Sequence, residues 1–145
     1  MEKLSALQAG EAGESYVMFE LLRMGVAATM CSQFGTYDIL ADVDRRPIRI
    51  QVKTAKGIQD GRNVYRFGTC KGSDKRLYKK GDFDIAAYVA LDIPAVVFRY
   101  GPSEHKMTSI PVDGFYPKSG AQTWKRALGR FVKTRLKQFA TLSSR

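Results

Sequence analysis

The sequence predicts an α/β fold, a central mixed β-sheet flanked by helices, on three observations. An amphipathic helix opens the chain, runs of alternating residues fill its middle, and a second amphipathic helix closes it. At 145 residues it reads most simply as a single domain over residues 1–145. Its 44% hydrophobic and 11% aromatic content supplies a core and excludes a disordered chain.

Residues 3–24 read as the first helix, stopped by Gly25, the residue type that favours a left-handed helix end. Leu4, Leu7, Val17, Met18, Leu21 and Leu22 recur on one stripe, with Glu14 in its middle and Glu11 at its edge. A carboxylate among inward-facing apolar residues is costly unless it is paired or binds a metal. The alternative starts the helix after Gly13 and leaves Glu14 in its first turn, favoured by the helix dipole.

Residues 26–32 form a first strand. Residues 37–43 alternate, with Asp38, Leu40 and Asp42 on one face, and residues 48–54 do the same with Arg49, Gln51 and Lys53. Asp44, Arg45, Arg46 and Pro47 supply the turn between them. Pairing Val43 with Ile48 sets Leu40 opposite Gln51 and Asp38 opposite Lys53, so a carboxylate, an amide and an ammonium share one face.

Beyond the hairpin, residues 56–63 read as a loop and 64–67 as a short strand. Residues 69–81 form a basic loop and 85–91 a buried strand. Pro94 breaks that strand, 95–100 make another, and 106–111 a short edge strand. Residues 123–139 form the last helix, with Trp124, Leu128, Phe131, Val132, Leu136 and Phe139 on its apolar stripe. Arg126, Arg130, Lys133 and Lys137 group on its opposite face, and Arg135 falls within the stripe with no account at this level. The Glu14 helix is expected on one side of the sheet and the last helix packed elsewhere.

The net charge of +10 points to a polyanion, either nucleic acid or an anionic membrane surface. No apolar run is long enough to span a membrane, and the N-terminus has no signal-peptide core, so no membrane insertion and a cytoplasmic site are expected. Cys31 and Cys70 lack paired spacing and read as free thiols in a reducing compartment. Two cysteines and one histidine are too few for a zinc site. Lys71, Lys75, Arg76, Lys79 and Lys80 crowd the basic loop around Tyr78, with Gly72 and Gly81 giving it mobility, as suits a DNA-backbone contact. Asp82 and Asp84 read as structural, His105 as a surface residue, and Lys56 as a phosphate contact at most.

Taken in order, Glu14 on a helix, Asp38 on a strand, and Gln51 and Lys53 on the next strand resemble the core of the PD-(D/E)XK nuclease superfamily. The Gln-x-Lys form on a short basic chain looks most like the homing endonucleases associated with group I introns. The resemblance covers residues 11–56, and 78–91 more loosely. Two positions depart from the pattern: Tyr37 stands where a Pro precedes the Asp, and Gln51 replaces an acid.

The resemblance implies a restriction-endonuclease-like core and a metal-dependent endonuclease of double-stranded DNA, active as a homodimer or homotetramer. Glu14, Asp38, Gln51 and Lys53 would be its catalytic residues. Asp38, Glu14, the Gln51 amide oxygen and the Val52 backbone carbonyl would hold Mg2+ or Mn2+. Lys71, Lys75, Arg76, Tyr78, Lys79 and Lys80 would bind DNA. Three alternatives stay open: a Holliday junction resolvase or repair nuclease, a non-catalytic basic DNA-binding module, and a membrane-surface protein using the last helix.

Overall fold

Ser5 starts the first helix. In the computed structural model, which describes residues 3–31, 35–59, 61–71 and 75–143, helix α1 spans Ala6–Arg23 behind a reciprocal cap. The Gln8 amide donates to Ser5 Oγ at 3.1 Å, and the Ser5 amide donates to Gln8 Oε1 at 2.9 Å. The helix therefore runs through Gly10 and Gly13, and a start after Gly13 is overturned. Gly25, at φ 81°, ends it as expected.

The leucine stripe is corrected. Leu4, Leu7 and Leu22 are exposed, and the buried face is Ala9, Gly13, Val17, Glu20 and Leu21. Small residues decide this, because α1 lies so close to the sheet that a Cβ on Gly13 would collide with the Thr54 side chain.

Among the described residues nine strands follow: β1 Ala27–Met30, β2 Ile39–Val43, β3 Arg46–Ala55, β4 Val64–Gly68, β5 Cys70–Lys71, β6 Arg76–Leu77, β7 Ile85–Ala90, β8 Ala95–Tyr100 and β9 Met107–Pro111. Helix α2, Ser119–Ser143, closes the fold. The main sheet has the order β1-β2-β3-β7-β8. It is mixed: β3 and β7 are parallel and the other neighbours antiparallel. The first strand was expected to reach Ser32, and Ser32 and Gly72 lie outside the described residues.

The β2–β3 hairpin differs from expectation by a two-residue slide. Val43 pairs with Arg46, not Ile48, so Leu40 faces Arg49. Asp44 and Arg45 alone make the turn, at φ 51° and 63°, the left-handed geometry of a two-residue hairpin. Pro47 sits inside β3, and is tolerated because β7 pairs with β3 only from Ile50 onward. An even slide leaves every side chain on its expected face.

Both helices cover the same face, which corrects the placement of the last helix elsewhere. Val17 and Leu21 of α1 and Trp124, Ala127 and Phe131 of α2 pack on Ile39, Ile48, Ile50, Ile85, Val89 and Val96. The opposite face carries Ala86, Tyr88, Ala90 and Val97. It is covered by a second sheet in which β9 pairs with β4, contributing Tyr65, Phe67 and Ile110. Among the described residues, no helix is long and apolar enough to cross a membrane.

Candidate active site

Asp38 stands immediately before β2, where the ladder to β3 gives out. Its own amide donates to the Ile50 carbonyl at 2.8 Å. Its Oδ2 accepts the Val52 amide at 2.8 Å, taking the place of the next backbone acceptor. The carboxylate is thereby fixed over the strand that carries Gln51 and Lys53. Because Ile39 pairs with Ile50, it is Gln51, not Lys53, that lies across from Asp38.

Glu14 reaches the same point from α1. The Gly13 close approach presses this turn of the helix onto β3 at Thr54, one residue beyond Lys53. The two carboxyls of Glu14 and Asp38 come within hydrogen-bond reach. Burial first, then the charge and hydrogen bond of Asp38, then the charge of Glu11, push the Glu14 carboxyl from 4.5 up to about 7. Two carboxylates held together against their repulsion mark a place prepared for a cation or a shared proton.

Gln51 is buried, and its amide nitrogen lies 3.5 Å from the Val52 carbonyl. Lys53 is held below its ordinary pKa by burial, opposed by the Asp38 charge. Its ammonium donates to the Cys70 carbonyl at 3.3 Å and to the Tyr78 hydroxyl oxygen at 3.2 Å. Glu14, Val52 and Lys53 line an open cleft of about 820 Å³ whose rim carries Lys3, Lys56 and Arg66. Lys56 is engaged there, donating to the Leu4 carbonyl at 2.9 Å.

Among the described residues, no three His, Cys, Asp or Glu side chains gather as a metal site. The donors at hand are two carboxylates, an amide oxygen and a backbone carbonyl. These are hard oxygens, and so few of them suit a cation such as magnesium that keeps several waters.

The basic loop is partly ordered as the β5–β6 ribbon. Lys75, Arg76, Lys79 and Lys80 are exposed on it, and Lys71 is half-buried. Tyr78 turns inward instead, with its ring edge-on to Phe83 at 5.1 Å. Asp82 caps the loop by accepting the Lys79 amide at 2.7 Å.

Asp84 binds Arg49 through the Arg49 backbone amide at 2.8 Å, Nε at 3.2 Å and a terminal nitrogen at 3.1 Å. Arg135 approaches Asp84 to 3.8 Å and lies over the Phe131 ring, which accounts for an arginine within the apolar stripe. Sequence reasoning missed Arg49 as the partner that ties β3 to the start of β7; its signal was one more basic residue on the Gln51–Lys53 face.

Comparison with known proteins places these residues in context. The family described as PD-(D/E)XK endonuclease matches residues 4–131. No curated protein matches the chain. Among solved structures, the chain is similar to a bacterial homing endonuclease, I-Ssp6803I, with a TM-score of 0.68 and 16% identity over 93% of this chain and 99% of that one. It is also similar to the Holliday junction resolvase Hjc of Archaeoglobus fulgidus, with a TM-score of 0.43 and 18% identity over 73% of this chain and 86% of that one. The first likeness shows that the fold is restriction-endonuclease-like.

Proposed function

The chain belongs to the PD-(D/E)XK endonuclease family, and from that premise we propose that it is a single-domain, divalent-metal-dependent endonuclease that cuts double-stranded DNA in the manner of homing endonucleases. The observation that carries this reading is the Glu14–Asp38 carboxyl pair beside the buried Lys53 ammonium. Members of the family use divalent metal ions. In this chain Asp38 and Glu14 would hold the ion, with the Gln51 amide oxygen or the Val52 carbonyl, and Mg2+ or Mn2+ suits such oxygens. When bound, the ion supplies a Lewis acid to the phosphoryl group. Lys53 orients the attacking water or stabilises charge on the phosphoryl oxygens. The free thiols Cys31 and Cys70 agree with work in the cytoplasm.

The reading is tested by incubating the protein with supercoiled plasmid, linear duplex and a four-way junction, with and without magnesium. Magnesium-dependent cutting of plasmid and duplex is expected. Cutting of the junction alone would make it a resolvase, and binding without cutting a DNA-binding module.

The carboxyl pair has a pH signature. In the metal-free folded chain Glu14 holds its proton up to about pH 7, whereas the unfolded chain releases it near 4.5. The folded state therefore binds more protons in that window, and metal-free stability falls as pH rises through it. Above about pH 7 Glu14 is ionised against the repulsion of Asp38. Magnesium should accordingly raise the melting temperature more at pH 8 than at pH 6. An increment independent of pH would place the ion elsewhere.

The loop has its own test. Changing Lys75, Arg76, Lys79 and Lys80 together to Ala should weaken binding to every duplex alike. It should also reduce the log–log salt slope by about 3 to 4, one counterion per lost contact. An unchanged slope would move the DNA to the α2 face.

Cutting both strands needs chemistry on two backbones of opposite polarity, and one Glu14–Asp38–Lys53 centre serves one of them. A two-fold homodimer, or a tetramer of two such pairs, supplies the second. Residues 85–90, 95–98, Trp124 and Phe131 are spent on the core, while Leu136, Phe139 and Leu142 are exposed at 58%, 71% and 68%. This outer stripe of α2 is the contact we expect. Light scattering should show an oligomer that Phe139→Glu converts to monomer; a wild-type monomer, free and DNA-bound, would leave only single-strand nicking.

A further inference from the structure

We propose that Tyr78 is a positioning residue, which clamps the Lys53 ammonium in the active site instead of binding DNA. The inference rests on the nuclease reading above for its catalytic consequence, and on geometry alone for the clamp. Lys53 carries three N–H donors. One goes to the Tyr78 oxygen at 3.2 Å and one to the Cys70 carbonyl at 3.3 Å. The same ammonium lies 5.0 Å from the centre of the Tyr78 ring, off its hydroxyl edge, so the hydrogen bond to the Tyr78 oxygen carries the contact. These two bonds engage two of the three donors, and the third is the one we assign to a reacting group.

The clamp is braced from behind. The Tyr78 ring meets Phe83 edge-on at 5.1 Å, and Phe83 belongs to the core between the main sheet and the β4–β9 sheet. Both anchors of Lys53 lie on the β5–β6 ribbon, Cys70 within β5 and Tyr78 directly after β6. A flexible four-carbon side chain that must present one N–H gains from such support, because a fixed donor needs no reorganisation as charge develops. Tyr78 sits among basic residues in sequence, yet its hydroxyl faces inward, and this distinguishes it from Lys79 and Lys80 beside it.

The test compares Tyr78→Phe, which keeps the ring, with Tyr78→Leu, which removes it. Single-turnover cleavage at saturating DNA should fall about tenfold for Phe, the loss of one hydrogen bond to a charged group. It should fall further for Leu, which also loses the packing on Phe83. DNA affinity and its salt slope should stay at wild-type values in both. The loss in Phe, which keeps that packing, separates the clamp from mere packing, and where the Leu variant does not fold, the Phe variant decides alone.

A readout independent of cleavage is the proton–nitrogen spectrum of the lysine ammonium groups. The Lys53 signal, assigned by its loss in Lys53→Met, should move from its wild-type position in both Tyr78→Phe and Tyr78→Leu, which lack the hydroxyl that accepts its N–H. If no variant and not even wild type cuts DNA, the nuclease reading fails and this spectrum still judges the clamp. Wild-type cleavage rates in the variants, a reduced salt slope, or a Lys53 signal unmoved in the variants would each overturn it.

Discussion

Asp38→Asn should abolish metal-dependent cleavage and leave DNA binding intact. The amide keeps an oxygen to accept the Val52 amide, so the strand end at 2.8 Å stays closed. What is lost is the charge that holds the cation. Losing several kcal/mol of charge stabilisation in the transition state corresponds to a rate about a thousandfold lower or more. The basic loop and its phosphate contacts are untouched, so gel-shift affinity should equal that of wild type or exceed it slightly, since one negative charge has gone from the DNA-facing side. Glu14 supplies an internal control. With its charged neighbour removed, its carboxyl should titrate closer to the ordinary value, because Asp38 provides the largest causes of its shift after burial. A variant that cut at the wild-type rate would remove Asp38 from the centre. One that lost DNA binding in proportion would make the site a binding surface.

How far the sequence led can be judged from individual residues. Alternation fixed which side chains share the β2–β3 face, and the face survived a two-residue error in register because the period of a strand is two. Register itself was misread because Asp44 and Arg45 accept left-handed backbone, a turn that Asn-Gly or Asp-Gly would have announced. The α1 stripe was misread for a different reason. Leucines count heavily in a hydrophobic pattern, but Ala9 and Gly13 make the contact, since only small residues let the helix close on Thr54. That same closeness delivers Glu14 to Asp38, so the candidate residue was reached through the wrong stripe. The inward turn of Tyr78 and the pairing of Arg49 with Asp84 were not legible. Both are contacts over more than twenty residues of chain that pattern and propensity do not encode.

Lys53→Met should yield a protein that is inactive and more stable. The Lys53 side chain is half-buried, and that burial lowers its pKa despite the nearby Asp38 charge. The sign follows from that direction. The folded chain binds the Lys53 proton less readily than the unfolded chain, so the charged form is penalised on folding, and the full penalty is present below the lowered pKa. Stability contributed by this site rises only as pH climbs through the lowered value toward the ordinary one. Met matches the length and volume of the lysine stem without a charge to desolvate. Relief of that desolvation is opposed by the loss of the Cys70, Tyr78 and Asp38 contacts, and a small net rise in melting temperature is the expected result. Cleavage should meanwhile fall by at least about a hundredfold, the effect of deleting one donor aimed at developing charge. DNA affinity should change little, because Lys53 lies beneath the ribbon and not on its exposed side. Calorimetry and single-turnover cleavage on the same preparation read both effects. A variant less stable than wild type would mean that the Cys70 carbonyl, the Tyr78 hydroxyl and Asp38 more than offset the burial of Lys53. Lys53 would then be a structural residue, and its place in the chemistry would have to be taken by another cation near Asp38.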